Sequence, residues 1–449
     1  MNSEKDRGNL NNNKEDYTML KPEPTQGKTD WFVHNRFGLF IHWGLYSIAA
    51  RHEWVKSFER ITNEEYQKYF DHFNPDLYDP EAWAKAAKHA GMKYAVITTK
   101  HHEGFCLWDS KLTDYKATNI SAERDLLKPF VEAFRKEGLK IGFYYSLIDW
   151  HHPEFPVDNR HPQRDDEAFK KQTKDRDIKK YAEYLHAQVR ELLTQFGKID
   201  MLFFDYSYPG KFGKGKKDWQ SEKLIKMIRQ LMPDVIINDR TEIPQDFYTP
   251  EQFQPRDWVH VNGKPVVWEA CQTLNGSWGY NRDCSGAFGK TRFAWKSAEM
   301  LIKMLIETVA KGGNMILNVG PTARGQFELK ALDKLHDIGE WMKFHSLSIY
   351  GATKSEFKAP KDCRFTQNGN RLFLHVFSWP LECIHIDNMA DRVEYAQLLN
   401  DGSEIKMERH DPKEEHAYMS EKIDSGTLTL ELPIQKPDVA VPVIELFLK

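Results

Sequence analysis

Short apolar runs alternate with amphipathic helical patterns along most of this chain, and that alternation limits the fold more than any other feature. Residues 37–44, 94–99, 141–146, 201–205, 235–240, 266–269 and 315–319 read as buried strands. A short eighth strand is expected at 348–350. Helical patterns separate them, as at 127–137, 178–196, 219–231 and 329–344. Asp79-Pro80-Glu81 opens one such helix, with Asp at the cap and Pro in the first turn, and Gly91 ends it. Seven or eight strands alternating with helices predict a (β/α)8-type, TIM-like barrel. An open doubly wound sheet is the weaker reading, because no Gly-rich phosphate fingerprint follows the first strand.

Past Gly351 the pattern switches to strand-like alternation, at 371–377, 427–432 and 443–448, with no convincing helix. A C-terminal antiparallel β-sandwich is expected there. The predicted division is a disordered segment over 1–28, a catalytic barrel over 29–352 and a sandwich over 353–449. A chain of 449 residues is too long for one ordinary core.

Net charge is −3, from 63 basic and 66 acidic residues, which gives no reason to invoke nucleic acid or an anionic membrane. The five cysteines, Cys106, Cys271, Cys284, Cys363 and Cys383, are odd in number and widely spaced, against a disulfide framework or structural zinc site. No apolar run is long enough to span a bilayer, and the first 25 residues hold no leader-like apolar stretch. A cytoplasmic protein is expected, or a secreted one if a leader has been trimmed. Aromatic residues make up 13% of the chain, which suits a sugar-stacking cleft as well as an aromatic core.

The strand 201–205 ends on a carboxylate, Asp205, where barrels place their chemistry. Other strand ends, brought to the same rim, would add His42, Trp43, His101, His102, Tyr145, Arg240 and Glu269. Loops would add Glu53, Trp54, Glu251 and Trp278. A single carboxylate at a strand end commonly caps a turn, and a single His there is commonly structural. So many together suit glycoside hydrolysis, with paired carboxylates, neutral His donors and acceptors, and stacking Trp. A metal hydrolase is the competing reading of His101-His102 and His151-His152. Neighbours on a strand point to opposite sides, so a His-His pair should not supply two ligands to one face, and the first strand carries Ile41-His42-Trp43 in place of His-x-His. No metal or cofactor is expected.

Six stretches carry a resemblance: Phe37-Gly38-Leu39-Phe40-Ile41-His42-Trp43-Gly44, Lys100-His101-His102-Glu103-Gly104-Phe105, Phe204-Asp205, Asn238-Asp239-Arg240, Trp268-Glu269, and the run from Gly312-Gly313 to Gly320-Pro321. In this order they resemble the α-L-fucosidases of glycoside hydrolase family 29. The resemblance implies a retaining exo-glycosidase without cofactor, acting on fucosylated oligosaccharides or glycoconjugates, and compatible with a homo-oligomer. It implies Asp205 as nucleophile, with His42, Glu53, Trp54, His101, His102, Tyr145, Arg240 and Trp278 around the sugar. Glu251 is the expected acid/base and Glu269 the alternative. The commoner family pattern has Trp two residues before the nucleophile and Gly after it, whereas this chain has Phe203 and Tyr206. L-Galactose, or sugar binding without turnover, are the alternative readings.

Overall fold

The computed structural model describes residues 29–284, 294–409 and 423–449. The expectation of disorder over 1–28 lies outside them. The described chain separates into two compact units. One runs to Ala352 and includes Asp438–Val441; the other holds Thr353–Pro437 and Pro442–Lys449.

The first unit is built on seven parallel strands: β1 (Phe37–Ile41), β2 (Tyr94–Lys100), β3 (Lys140–Ser146), β4 (Met201–Asp205), β5 (Ile236–Ile237), β8 (Glu269–Thr273) and β9 (Asn314–Val319). Between β5 and β8, β6 (His260–Val261) and β7 (Lys264–Pro265) form a small antiparallel hairpin of their own. The sheet order is β5-β4-β3-β2-β1-β9-β8. Residues 247–251 occupy the eighth place between β5 and β8. Phe247 bridges Asn238 on one side, while Tyr248 and Glu251 bridge Trp268 and Cys271 on the other, all in parallel. Pro250 has no N–H to donate, but its carbonyl still accepts from the Cys271 N–H at 2.9 Å, so the ring closes through bridges rather than a regular strand.

Three sequence expectations change here. The strand expected over 235–240 keeps only Ile236–Ile237, and Asp239–Thr241 is a 3-10 turn that carries Arg240. Residues 346–348 form a 3-10 turn after the helix Leu329–His345, so the eighth strand is not at 348–350. The strand expected at 266–269 instead begins at Glu269, paired with Asn314, the first residue of β9. An apolar run with Trp in it marks a buried segment but not where its ladder starts.

Helices cover the sheet as their caps direct. Asp79 accepts from the Ala82 N–H at 3.0 Å and starts Pro80–His89. Asp177 likewise starts Ile178–Gln195, which buries Tyr181, Leu185, Val189 and Leu192. Side chains alternate in and out along each strand. Phe40, Val96, Tyr144, Met201, Phe203 and Ile316 point inward and form one cluster. Phe32, from the helix Asp30–Asn35, closes the floor, its ring centroid 5.0 Å from Phe247 and 5.4 Å from Tyr94. Gly38 makes room for that floor: a Cβ there would lie 2.1 Å from the Tyr94 ring. Among the described residues no helix is long and apolar enough to cross a membrane.

The second unit holds two antiparallel sheets. One contains β10 (Thr353–Lys354), β11 (Cys363–Asn368), β12 (Arg371–Val376), β14 (Val393–Leu398) and β17 (Val443–Leu448); the other contains β13 (Cys383–Ile386), β15 (Met407–Arg409) and β16 (Leu428–Glu431). Leu372, Leu374 and Leu446 of the first share one core with Ile384, Leu428 and Leu430 of the second. This is the sandwich that the alternating pattern predicts.

Candidate active site

Asp205 ends β4 as the third inward residue after Met201 and Phe203, so alternation alone aims it at the mouth. One pocket there is lined by nine of the twelve side chains named from sequence: His42, Glu53, Trp54, His101, His102, Asp205, Arg240, Glu251 and Trp278. Phe40, Tyr144, Phe203, Tyr206 and Cys271 complete it. Its volume of about 490 Å³, counted to the open mouth, suits one monosaccharide with some solvent.

Arg240 organises the two carboxylates. Its Nη1 donates to Asp205 Oδ1 at 2.6 Å and its Nη2 to Glu251 Oε2 at 2.8 Å. Asp205 and Glu251 are therefore held by the two prongs of one guanidinium fork. The fork is itself braced, as Nε donates to Thr249 Oγ1 at 3.0 Å and that hydroxyl donates to Asp239 Oδ1 at 2.9 Å. Burial works against the Arg240 charge, but the attraction of Asp205 and Glu251 more than offsets it, and its pKa is raised well above the ordinary value.

His42 and His102 are neutral. Burial, then the neighbouring His101, pushes His42 and His102 well below the usual imidazole value. Asn318 donates to the Trp278 carbonyl at 2.6 Å, so its oxygen faces His42 Nδ1 at 2.7 Å and takes that proton. Ser146 donates to the Ile148 carbonyl at 2.6 Å and so accepts from His102 Nδ1 at 2.7 Å. Both rings are thereby set with Nδ1 protonated and Nε2 an acceptor for a substrate hydroxyl. His102 Nε2 lies 3.8 Å from Asp205 Oδ2. Glu53 accepts from the Gly279 N–H at 2.9 Å and so fixes the turn that carries Trp278.

His101 and His102 both line the pocket, against the expectation that neighbours point apart. β2 ends at Lys100, so the pair sits in a turn where strand alternation no longer applies, with ring centroids 3.9 Å apart. Among the described residues, the one three-residue grouping with metal-ligand spacing is His89, His336 and Glu340, on the helices Pro80–His89 and Leu329–His345 rather than at the mouth.

Three expected residues lie elsewhere. Trp43 is buried away from the pocket, its Nε1 donating to the Thr322 carbonyl at 2.9 Å and its ring centroid 5.2 Å from that of Trp83. Tyr145 faces out of the barrel, its hydroxyl donating to Gln188 Oε1 at 2.8 Å and Lys100 Nζ lying 4.4 Å from its ring centroid. Tyr144 holds the inward position beside Phe203, and its hydroxyl donates to Asp205 Oδ2 at 2.7 Å. Tyr144→Phe should lower kcat by about tenfold or more, as a hydrogen bond to a charged group is worth roughly 1.5–3 kcal/mol. Tyr145→Phe should lower Tm while sparing turnover. Equal kinetic losses in both variants would contradict the assignment. Parity within one strand is readable, but the partner strand's register, which tells Tyr144 from Tyr145, is not.

Glu269 is the third. It starts β8 instead of ending it, so it sits at the floor of the barrel, fully buried, accepting from the Tyr94 hydroxyl. Glu251 instead closes the bridging stretch 247–251 at the mouth, and Cys271, two residues beyond Glu269, reaches the same pocket. Burial raises the Glu269 carboxyl to about 8, although the Tyr94 hydrogen bond pulls the other way. An unfolded Glu titrates near 4.3. The stability contributed by holding its proton is thus full below about pH 4.3 and is lost as pH rises to about 8. Glu269→Gln should accordingly raise Tm relative to wild type, by more at pH 8 than at pH 5. A pH-independent difference would count against this reading.

The family model for "Alpha-L-fucosidase" matches residues 7–346. The chain belongs to the α-L-fucosidase family. Plasma alpha-L-fucosidase of Rattus norvegicus is 30% identical over 367 residues, which is 74% of this chain and 74% of that protein. Alpha-L-fucosidase isoenzyme 1 from Paenibacillus thiaminolyticus is 46% identical, with a TM-score of 0.86 over 94% of this chain and 98% of that one. A family 29 fucosidase from Bacteroides thetaiotaomicron, described as a trapped covalent intermediate, is 27% identical, with a TM-score of 0.79 over 96% of this chain and 100% of that one. The family assignment carries the barrel fold and the glycosidase class reached from the six sequence stretches.

Proposed function

We propose that this protein hydrolyses terminal α-L-fucosides with net retention, with Asp205 as nucleophile and Glu251 as acid/base. The observation that carries the reading is the shared Arg240 fork, which holds both carboxylates at the mouth of one pocket. Retaining enzymes hold their two carboxyl groups about 5–5.5 Å apart, a spacing suited to direct attack, whereas inverting enzymes leave room for water. The covalent intermediate trapped in the Bacteroides relative supports the same route.

In the first step an Asp205 oxygen bonds to the anomeric carbon as the bond to the leaving oxygen breaks, and Glu251 gives that oxygen its proton. In the second, Glu251 takes a proton from water, the water oxygen displaces Asp205, and fucose leaves in its original configuration. Arg240 and the Tyr144 hydroxyl hold Asp205 in line throughout. His42 and His102 accept from sugar hydroxyls through Nε2, and Trp54 and Trp278 offer stacking faces.

The named relatives are fucosidases, which supports fucose over L-galactose, and two intact carboxylates at the mouth argue against a binding module. Release of nitrophenol from para-nitrophenyl α-L-fucoside, with α-L-fucose as the first product by NMR, tests the proposal. No turnover with active controls present, or β-fucose formed first, would sink it. Aryl L-galactoside and D-galactoside in the same assay test sugar preference.

A further inference from the structure

The geometry points to a groove beside the pocket that binds the aglycone, a neutral chain of sugar units joined to the fucosyl residue, with Tyr206 at its entrance and Phe212 as its stacking platform. This rests on the fucosidase reading.

The loops that follow β3 and β4 leave the barrel at the mouth and build the groove between them. Asp158, Arg164, Lys170, Lys211 and Phe212 line it. On the measure that gives the pocket about 490 Å³, the groove, counted with the solvent above it, has about 1020 Å³. A buried network ties the two loops together. Lys214 Nζ donates to Asp158 Oδ2 at 2.6 Å and to the Pro156 carbonyl at 2.8 Å, and the Tyr208 hydroxyl donates to Asp158. The Asp158 and Lys214 side chains are only 4% and 7% exposed. A buried ion pair is tolerated where its remaining bonds are satisfied, and here those bonds hold the groove in one shape.

Tyr206 joins groove to pocket. It follows the nucleophile with φ +71°, a left-handed conformation that costs a residue other than Gly roughly 1–2 kcal/mol. Its ring lines the pocket and packs edge-on to Tyr208, centroids 4.9 Å apart, while Tyr208 turns to the Asp158 network of the groove. A strained Tyr whose ring lines the pocket and reaches the groove's network through Tyr208 is explained if the ring contacts substrate. Phe212 is 65% exposed at the groove. Lys211 Nζ lies 5.2 Å from the ring centroid, and the rest of the exposed ring offers what the C–H face of a sugar stacks on. The groove's charges are of both signs and partly paired, as Lys170 with Glu167 at 2.6 Å and Lys214 with Asp158, which suits hydroxyl-bearing neutral sugars rather than sulfated ones.

The test compares kcat/KM on para-nitrophenyl α-L-fucoside and on a neutral fucosylated tetrasaccharide, using the full chain. Phe212→Ala should lose about tenfold more on the tetrasaccharide than on the aryl substrate, chiefly in KM, the size of about 1.4 kcal/mol of stacking. Phe212→Trp should restore the preference. Tyr206→Gly should also lower the tetrasaccharide-to-aryl ratio. Equal losses on both substrates, or a ratio unchanged in Phe212→Ala, would overturn the proposal. Wild-type protein inactive on both substrates would instead overturn the fucosidase reading, and the groove with it.

Discussion

Asp205→Ala is expected to cut turnover by several orders of magnitude, the largest effect of any single substitution in this protein. The residue ends β4, and its two oxygens are held separately, Oδ1 by Arg240 and Oδ2 by Tyr144. A carboxylate fixed in this way acts from one position, and nothing else at the mouth is held by both groups. Loss of a covalent nucleophile removes the intermediate rather than merely slowing it. Azide should restore turnover in the variant by attacking the intact glycoside directly, giving a fucosyl azide of inverted configuration. A variant that keeps a tenth of wild-type activity would show that the nucleophile lies elsewhere.

Glu251→Ala should have the second-largest effect, and its size should depend on the leaving group. Nitrophenol departs with little help, whereas a sugar alcohol needs its proton during bond breaking. The variant should therefore lose far more activity on a fucosyl-oligosaccharide than on the nitrophenyl substrate. The basic limb of its pH–rate profile should flatten. Azide should again rescue it, now with retained configuration, because the intermediate still forms on Asp205. Glu251 is 41% exposed at the mouth, where a leaving group can reach it, whereas Glu269 is closed off at the floor. Selectivity for poor leaving groups in Glu269→Ala, with retained-configuration rescue, would reverse this assignment.

Much of the site was legible because barrel strands deliver their terminal residues to one rim. Asp205, His42 and Arg240 could be named from the ends of apolar runs. Glu53, Trp54, Glu251 and Trp278 were read as loop additions to that rim, and all four line the pocket. The failures share a cause. Tyr145 in place of Tyr144 is an error of one residue, which on a strand reverses the face. Glu269 was taken for a strand end when it is a strand start, because an apolar run reports burial rather than hydrogen-bond register.

The sequence by itself determined the barrel and the sandwich, and it singled out the carboxylate of Asp205 at the end of β4. Periodicity, cap residues and the carboxylate after β4 are local signals, and local signals survive in one dimension. Only the tertiary structure decided how the ring closes. Residues 247–251 fill the eighth place through bridges to both neighbours, without a strand pattern of their own. That closure sets Glu251 at the mouth and Glu269 at the floor, and it brings Arg240 between Asp205 and Glu251. These are relations among segments far apart in the chain, fixed by which backbone groups pair across the ring, and no stretch of sequence carries that pairing alone.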